Sequence, residues 1–546
     1  MIILKFLFIE MKKQIKLTNT IFSNIWHHPH FLPFILFTFI FTVYFSSSVG
    51  LINSGDTPQF FTTEALIKYQ DIELEHFQDN PHYFVHPDVY TRNGKLFALR
   101  GVVFSYLMIP LHTFASYISG FFTTNNFPQN VISPNFKYEL AITSLFTSFS
   151  VFGLYLIFLL QKELKAERWV EYINIISIAF GTYIWKYSSY YSRFSINICI
   201  LGLTSYCFGF FLKRKKINWL IISLVWVVTA YGVDMILALA LAIFFICFLA
   251  YYLIKKIFSP HQFIRIVFFP AVLLFIIMYL NYANYGNVLS NQSNQISIVK
   301  KYHMSSFDLF STPIFPTIMS VLFGNGKIFP ESFANLSAFN KEFNISISAE
   351  YAKKYNFYGI FTVSPFILFI TPVFFMKKKI VKNIKILQMF IFSTFVLGVI
   401  INLKVVCFWG GNQYDIRYFY PYSLLLAVPL VFVLDNISTL RLKIARYLFW
   451  AFYIIALLFS FAMSWLGVIN MYKPALTGER RIWMEIYDLP MKLTQYSLRE
   501  YLDATFLNRE NAWIAIAISI IGYFSFRIAT YCIRSAIYFF KYKKER

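Results

Sequence analysis

The stretch FLPFILFTFIFTVYFSSSVGLI, which runs from Phe31 to Ile52, is apolar over most of its length. A hydrocarbon core about 30 Å thick is crossed by about 20 apolar residues in a helix, so this stretch predicts a membrane-spanning helix. It is too long for the core of a signal peptide and lacks a small-residue cleavage site, which favours a retained first span. Transmembrane β-strands are shorter and alternate apolar with polar residues, so the pattern excludes a β-barrel.

Similar apolar runs recur along the chain as far as Phe526. Of the 546 residues, 58% are hydrophobic and only 14% are charged, a balance that a soluble domain does not keep. We therefore predict an all-α polytopic membrane protein, one transmembrane domain over residues 1–546 with about 12 transmembrane helices. The predicted spans are Phe31 to Ile52, Leu140 to Leu160, Trp169 to Tyr187, Ser195 to Leu212, Ile217 to Tyr231, Met235 to Ile254, Ile266 to Tyr282, Phe357 to Met376, Ile386 to Leu403, Tyr418 to Leu434, Tyr447 to Val468 and Ala512 to Phe526.

The net charge of +23 comes from lysine and arginine clusters between the apolar runs, such as Lys213 to Lys216 and Lys377 to Lys379. Short loops rich in these residues face the cytoplasm. We therefore expect a multi-pass plasma-membrane protein with both termini cytoplasmic and no nucleic-acid partner. A further apolar segment, Val102 to Phe122, would move both clusters outside if it crossed the membrane. We predict instead that it is an interfacial helix in a long first extracytoplasmic loop.

Three segments on the predicted outer side are long enough to hold structure, namely residues 53–138, 283–356 and 469–511. They contain most of the acidic residues and most of the histidines, whereas the predicted inward loops are short. Secondary transporters instead bind their substrate near the bilayer midplane, between structural repeats. The chain also lacks the Walker-type motif GxxxxGK[ST] of ATP-driven transporters. The distribution therefore favours chemistry at the outer surface of the membrane.

Asp56 is the leading candidate for a reactive group, because it lies immediately beyond the first predicted span, in Asn53-Ser54-Gly55-Asp56-Thr57-Pro58. A carboxylate at the membrane edge is partly desolvated, which raises its basicity and suits a general base. The alternative is an exposed loop aspartate that caps a helix beginning at Pro58.

Lys95 and Arg100 precede the predicted interfacial helix and could bind a phosphate. Cations placed beside a departing phosphate stabilise the negative charge that develops there. Equally, both side chains could reach the interface and anchor that helix. His82 and His86, nearby in the same segment, could bind a metal or an acceptor, although ordinary loop histidines explain them as well.

Three further charged residues lie at predicted outer turns. Arg417 follows Trp409-Gly410-Gly411 and could bind a phosphate bidentately at headgroup depth, or anchor an aromatic belt. Arg193 and Asp234 lie in short turns that could face the same cavity. Asp234 is a possible second acid, because a carboxylate between closely spaced spans needs a partner or a function. A structural salt bridge with Arg193 would satisfy it equally well.

Several short motifs follow one another along the chain: Ser54-Gly55-Asp56-Thr57, Thr63-Glu64-Ala65-Leu66, Asn93-Gly94-Lys95, Ile109-Pro110, Phe180 to Ser188, Asn281-Tyr282 with Tyr285-Gly286, Gly359 to Phe366, and Trp409-Gly410-Gly411 with Arg417-Tyr418 and Pro421. Their order resembles that of the GT-C membrane glycosyltransferases, the superfamily of the dolichyl-phosphate-mannose mannosyltransferases and the aminoarabinose transferase. The resemblance runs the length of the chain and rests on order, since no single motif is specific.

This resemblance implies an enzyme that transfers a sugar, with inversion, from a polyprenyl-phosphate donor to a glycan, lipid or protein acceptor on the extracytoplasmic side of the membrane. It implies Asp56 as the catalytic base, with Lys95, Arg100, Arg193 and Arg417 as contacts of the donor phosphate. No cofactor is required by this reading, and a divalent metal remains an option. Two other readings stay open: a polymerase or ligase of lipid-linked oligosaccharides, and a non-enzymatic lipid flippase or transporter.

Overall fold

The computed structural model describes residues 31–51, 56–77, 89–92, 94–98, 101–127, 135–164, 166–286, 360–375, 382–404, 419–477, 502–503 and 505–526. The α-helices are α1 (Phe31–Ser46), α2 (Thr57–Lys68), α3 (Val102–Ile118), α4 (Phe136–Glu163), α5 (Arg168–Gly181), α6 (Ile184–Ser188), α7 (Arg193–Arg214), α8 (Ile217–Val233), α9 (Met235–Ile254), α10 (Pro260–Tyr285), α11 (Ile360–Val363), α12 (Lys382–Lys404), α13 (Tyr420–Ser423), α14 (Ala427–Ser438), α15 (Lys443–Thr477) and α16 (residues 512–526). Short 3-10 helices cover Glu75–Phe77, Ser119–Phe121, Pro365–Phe375, Leu424–Leu426 and Arg509–Asn511.

The described helices support a polytopic membrane protein. By length and composition, seven of the described stretches could cross a membrane: Val102–Phe121, Phe136–Glu163, Arg193–Arg214, Met235–Ile254, Pro260–Tyr285, Tyr420–Ser438 and Lys443–Val468. Three shorter apolar helices are Phe31–Ser46, Ile217–Val233 and Lys385–Ile401. The all-α membrane class is thus confirmed at this coarser level, whereas the count of about 12 spans stays a prediction.

The predicted span Trp169 to Tyr187 is wrong as a single helix, because the chain breaks between α5 and α6. Thr182 at the break is extended, with φ −124° and ψ 165°. Its hydroxyl donates to the carbonyl of Ile178 at 2.7 Å and accepts from the amide of Ile184 at 3.3 Å, while Ser464 Oγ donates to the Thr182 carbonyl at 2.7 Å. Side chains therefore satisfy backbone groups that a helix break leaves open inside an apolar bundle.

The predicted span Phe357 to Met376 is also corrected, to the short helix α11 followed by the 3-10 helix Pro365–Phe375. Pro365 has no amide proton to continue the hydrogen-bond ladder of α11. Ser364, just before it, donates its hydroxyl to the carbonyl of Gly181 at 2.7 Å. The two interrupted segments therefore meet at their breaks.

Helix α7 lies at the centre of the bundle, where α4, α8, α12 and α13 pack against it. Its most apolar stretch is 83% buried, whereas that of α10 is only 17% buried and leaves a wide apolar face open to lipid. Helices α4 and α7 touch through their backbones. A Cβ added to Gly153 would lie 2.5 Å from the carbonyl oxygen of Ile198, and one added to Gly202 would lie 2.8 Å from the Cα of Gly153. Such close approach needs small residues at the contact.

The segment predicted to be the first outer loop contains a small antiparallel hairpin that was not predicted from the sequence. Strands β1 (Val89–Arg92) and β2 (Lys95–Ala98) pair with Val89 opposite Ala98 and Arg92 opposite Lys95. Gly94 at the turn has φ +79°, a conformation that favours glycine. The dipeptide Asn93-Gly94 is the usual sequence signal for such a turn.

Helix α3 and the 3-10 turn after it meet the length and composition of a membrane span. Their predicted interfacial position therefore stays a prediction. Helix α3 packs against α2 and α4, so it is an integral part of the fold that surrounds the site.

We expect Gly153→Ala to lower the stability of the protein by about 2 kcal/mol, because the added methyl group would push α7 away from α4. The measurement is the apparent melting temperature of the purified protein in detergent. Gly522→Ala is the matched control, since a Cβ at that helical glycine meets nothing within 4 Å. Equal melting temperatures for the two variants would contradict the close contact of α4 and α7.

Candidate functional site

Asp56 occupies the N-cap position of α2, yet its side chain makes no capping hydrogen bond to that helix. Its Oδ2 atom instead accepts the backbone N–H of Arg193 at 3.0 Å. The side chain is buried, with Asp56 only 4% exposed. Asp56 is therefore buried rather than exposed, and it holds the predicted N-cap position without a side-chain capping bond. The starts of α2 and α7 meet at this carboxylate.

Arg193 connects Asp56 with Asp234. It opens α7, where Ser192 caps the helix by accepting the N–H of Phe194 at 3.3 Å. While its backbone binds Asp56, its Nε atom lies 3.2 Å from Oδ2 of Asp234. Arg193 and Asp234 are 7% and 6% exposed, so this ion pair is shielded from water. The salt bridge considered from the sequence is confirmed, and three of the predicted site residues lie together.

Asp234 makes several structural contacts at the start of α9. Its Oδ1 atom accepts the backbone N–H groups of Ile236 at 3.1 Å and Leu237 at 3.4 Å, which caps the helix. Its Oδ2 atom also accepts from Nδ2 of Asn197 at 2.9 Å. A carboxylate that caps a helix and pairs with Arg193 is accounted for by structure. Asp56 is therefore the better candidate for a reactive acid.

Lys186 is a buried cation that the sequence analysis quoted in a motif but assigned no role. It is 2% exposed, and its Nζ atom lies 5.2 Å from the ring centres of both Tyr183 and Tyr187. The carbonyl of Tyr187 accepts from Ser195 Oγ at 3.2 Å, which holds α6 against the start of α7. A lysine inside the apolar run of the predicted third span was the available signal.

A second buried polar cluster joins α2 to α3 and α4. Glu64 Oε1 lies 2.7 Å from Nδ1 of His112 and also accepts from the hydroxyl of Tyr138. Its other oxygen pairs with Lys68 at 2.7 Å. Burial is the largest influence and raises the pKa of Glu64, but His112, Lys68 and Tyr138 together lower it from 4.5 to about 2. Glu64 is therefore an anion at neutral pH.

Tyr191 lies between the two clusters. Its ring is 6.0 Å from that of His112 and 5.5 Å from that of Phe60, centre to centre. Burial above all raises the pKa of Tyr191 well above its ordinary value, and the carboxylates of Asp56 and Glu64 raise it further. The phenol therefore stays protonated beside both acids.

Of the remaining predicted site residues, the structure describes Lys95 alone. Lys95 lies on β2, exposed, and forms an ion pair with Glu73, whose hydrogen bond raises the pKa of the lysine. The other predicted residues fall outside the described part of the chain: His82, His86, Arg100 and Arg417. Their predicted roles stay predictions.

Among the described residues, one group of side chains could hold a metal ion. Asp71, Glu73 and His76 each offer a ligand atom, and these atoms lie within 4.8 Å of one another. Carboxylate and imidazole ligands suit several divalent metals. In this structure the same groups already pair with one another and with Lys95, His76 Nε2 being 2.8 Å from Asp71 Oδ2. A metal would therefore have to replace those ion pairs.

Comparison with known proteins finds no family model that matches this chain and no curated protein that matches it in sequence.

We expect Glu64→Gln to lower stability at neutral pH by an amount on the order of 2 kcal/mol, because charged hydrogen bonds to His112 and Lys68 are lost. A carboxylate whose pKa is lowered on folding stabilises the protein above its unfolded pKa of about 4.5. The difference in melting temperature between wild type and variant should therefore shrink as the pH falls from 5 toward 2. A pH-independent difference would argue against an ionised Glu64.

We expect Arg193→Met to destabilise the protein by about 3 kcal/mol, because the Asp234 carboxylate would stay buried without its cation. The double variant Arg193→Met/Asp234→Asn should recover part of the loss in apparent melting temperature. Arg509→Met is the matched control, since its 2.7 Å ion pair with Asp503 is solvent-exposed and worth little. If both single arginine variants melt alike, the buried pair is not structural.

Proposed function

We propose that this protein is a glycosyltransferase of the GT-C type, which transfers a sugar from a polyprenyl-phosphate donor to an acceptor outside the cell. The observation that carries the proposal is the buried carboxylate of Asp56, at the N-cap of the helix that follows α1 and held by the Arg193 N–H at 3.0 Å. That location matches the catalytic acid implied by the motif order of the sequence.

In the proposed reaction Asp56 is the general base. The acceptor hydroxyl attacks the anomeric carbon from the face opposite the phosphate, and its proton passes to the Asp56 carboxylate. The bond from the anomeric carbon to the phosphate oxygen breaks, and the phosphate leaves with the electron pair. The anomeric configuration is therefore inverted.

The leaving phosphate needs neutralising charge more than it needs a proton. Arg193 lies beside Asp56, although its guanidinium already pairs with Asp234. Lys186 adds a second buried cation at the adjoining helix α6. Together with Lys95, Arg100 and Arg417, proposed from the sequence, these residues form the candidate set for the donor phosphate.

Two other functions make different demands on the same residues. A polymerase or ligase of lipid-linked oligosaccharides would use a diphosphate-linked donor, so a monophosphate-linked monosugar would be inert. A lipid flippase or transporter is favoured by one observation, the buried Glu64–His112 pair, since His112 lies within a candidate span. It would move lipid without forming a glycosidic bond.

We expect Asp56→Asn to reduce sugar transfer by about 100-fold or more, because the amide cannot accept the hydroxyl proton. The measurement is transfer of radiolabelled sugar from a panel of polyprenyl-phosphate sugars into envelope acceptors, in membranes with matched protein levels. Asp435→Asn is the control, because its carboxylate binds the Glu167 backbone N–H, far along the chain from the site.

The proposed base is supported if wild type and Asp435→Asn transfer sugar and Asp56→Asn does not. Equal transfer by all three would move the base elsewhere, with Asp234 next to be examined. No transfer by wild type from any monophosphate donor would contradict the proposed reaction.

A further inference from the structure

The side chain of Gln59 is buried without using its amide. Gln59 is 1% exposed, and neither its Oε1 nor its Nε2 has a hydrogen-bond partner within the part of the chain that the structure describes. Its backbone, in contrast, is fully engaged. The Gln59 N–H donates to the Asp56 carbonyl at 3.1 Å, and its carbonyl accepts from Thr63 Oγ1 at 2.8 Å and from Ser105 Oγ at 3.3 Å.

An amide buried without hydrogen bonds opposes folding, because it loses its contacts with water and gains none. A leucine or methionine would fill the same space at no such cost. The same interface of α2 and α3 contains a second unsatisfied atom, Nε2 of His112, a residue that is 0% exposed. Phe60, next to Gln59, has its ring centre 4.9 Å from that of His112. An unsatisfied amide and an unsatisfied imidazole nitrogen at one helix interface, among the described residues, indicate a polar ligand.

The position of Gln59 relative to Asp56 indicates which ligand this is. The two residues are three apart at the start of α2, so they lie on neighbouring positions of one helix face. One helical turn is about 5 Å, which is comparable to the width of a sugar ring. The amide presents one acceptor and a pair of donor hydrogens side by side, a pattern that complements two hydroxyls on adjacent ring carbons.

We infer that Gln59 is a substrate-binding residue that holds a pair of neighbouring sugar hydroxyls while Asp56 acts on the reacting hydroxyl. This inference rests on the proposed glycosyl transfer and adds a specificity contact to it. The hydroxyl pair belongs to the donor sugar or to the acceptor, and the kinetics below distinguish these sources.

The first measurement compares the apparent melting temperature of the empty protein with that of Gln59→Met, a side chain of similar length without hydrogen-bonding groups. If the amide serves only a ligand, the variant melts about 2 °C higher, since the unsatisfied group is gone. If a buried water or another group uses the amide structurally, the variant melts lower, which would overturn the inference.

Asn174→Leu is the matched control for this measurement. Asn174 is also fully buried, but its Nδ2 donates to the carbonyl of Ala427 at 2.6 Å. Its replacement removes a real hydrogen bond and should lower the melting temperature. The two variants are therefore expected to shift in opposite directions.

The second measurement is sugar transfer at varied donor and acceptor concentrations. Gln59→Met should lower kcat/KM about 10-fold, through KM of whichever substrate carries the hydroxyl pair. A series of monodeoxy donors and acceptors then identifies the hydroxyl. Removing that hydroxyl should lower kcat/KM about 10-fold for the wild type and hardly at all for the variant, because the variant has already lost the contact.

The outcomes separate the two claims. Wild type without transfer from any donor overturns the proposed reaction and the role of Gln59 with it. The role of Gln59 alone is overturned if the wild type is active and Gln59→Met has an unchanged kcat/KM. It is also overturned if no deoxy substrate affects the wild type more than the variant. A higher melting temperature, a raised KM and one coupled hydroxyl together support the inference.

Discussion

The candidate site depends on Arg193, which binds one acid with its backbone and another with its side chain. Its N–H holds Asp56 at the start of α2, and its guanidinium pairs with Asp234 at the start of α9. These contacts join three helix beginnings inside an apolar bundle. Because charges are costly to bury alone, each of the three groups is placed by the other two. The orientation of Asp56 is therefore a consequence of how α7 is packed.

The packing of α7 is determined in turn by small residues and by helix breaks whose backbone groups are hydrogen-bonded by side chains. Gly153 and Gly202 let α4 and α7 touch, which sets the position of Arg193 at the head of α7. The break at Thr182 turns the chain into α6, which carries Lys186. Aromatic rings lie beside the polar groups: the ring of Tyr187 is next to Lys186, and that of Tyr191 is next to His112. Such surroundings exclude water and strengthen electrostatic interactions between the groups they enclose.

Buried ion pairs contribute little net stability, because desolvation offsets their attraction. The two clusters, around Arg193 and around Glu64, are therefore poorly explained as stabilising devices alone. Asp234 has enough structural contacts to account for its presence, whereas the amide of Gln59 has no hydrogen-bond partner among the residues that the structure describes. This difference is the basis for the proposed role of Gln59 as a substrate-binding residue.

Hydropathy predicted the helical elements well where the helices are uninterrupted. The predicted span Met235 to Ile254 coincides with α9, and α4 contains the predicted span Leu140 to Leu160. It failed at Thr182 and Ser364, because those breaks are stabilised by side-chain hydrogen bonds from distant helices, which leave the local pattern apolar. For the site, Asp56 stood out by its position after an apolar run. Glu64 and His112 did not, since single polar residues carry no sign of their partners. Lys186 interrupted an apolar run, but nothing in that run indicated which residues surround it.

The sequence by itself determined that this is a helical, polytopic type of membrane protein, because a bilayer requires apolar runs of a set length and that is a local property of the chain. It also determined which charges sit near the ends of those runs. Only the tertiary structure decided which charges meet. Asp56 and Arg193 are 137 residues apart in the chain, and their contact exists because the fold brings the start of α2 to the start of α7. No periodicity or composition encodes such a pairing, since it arises from the shapes of the helices that bring the two residues together.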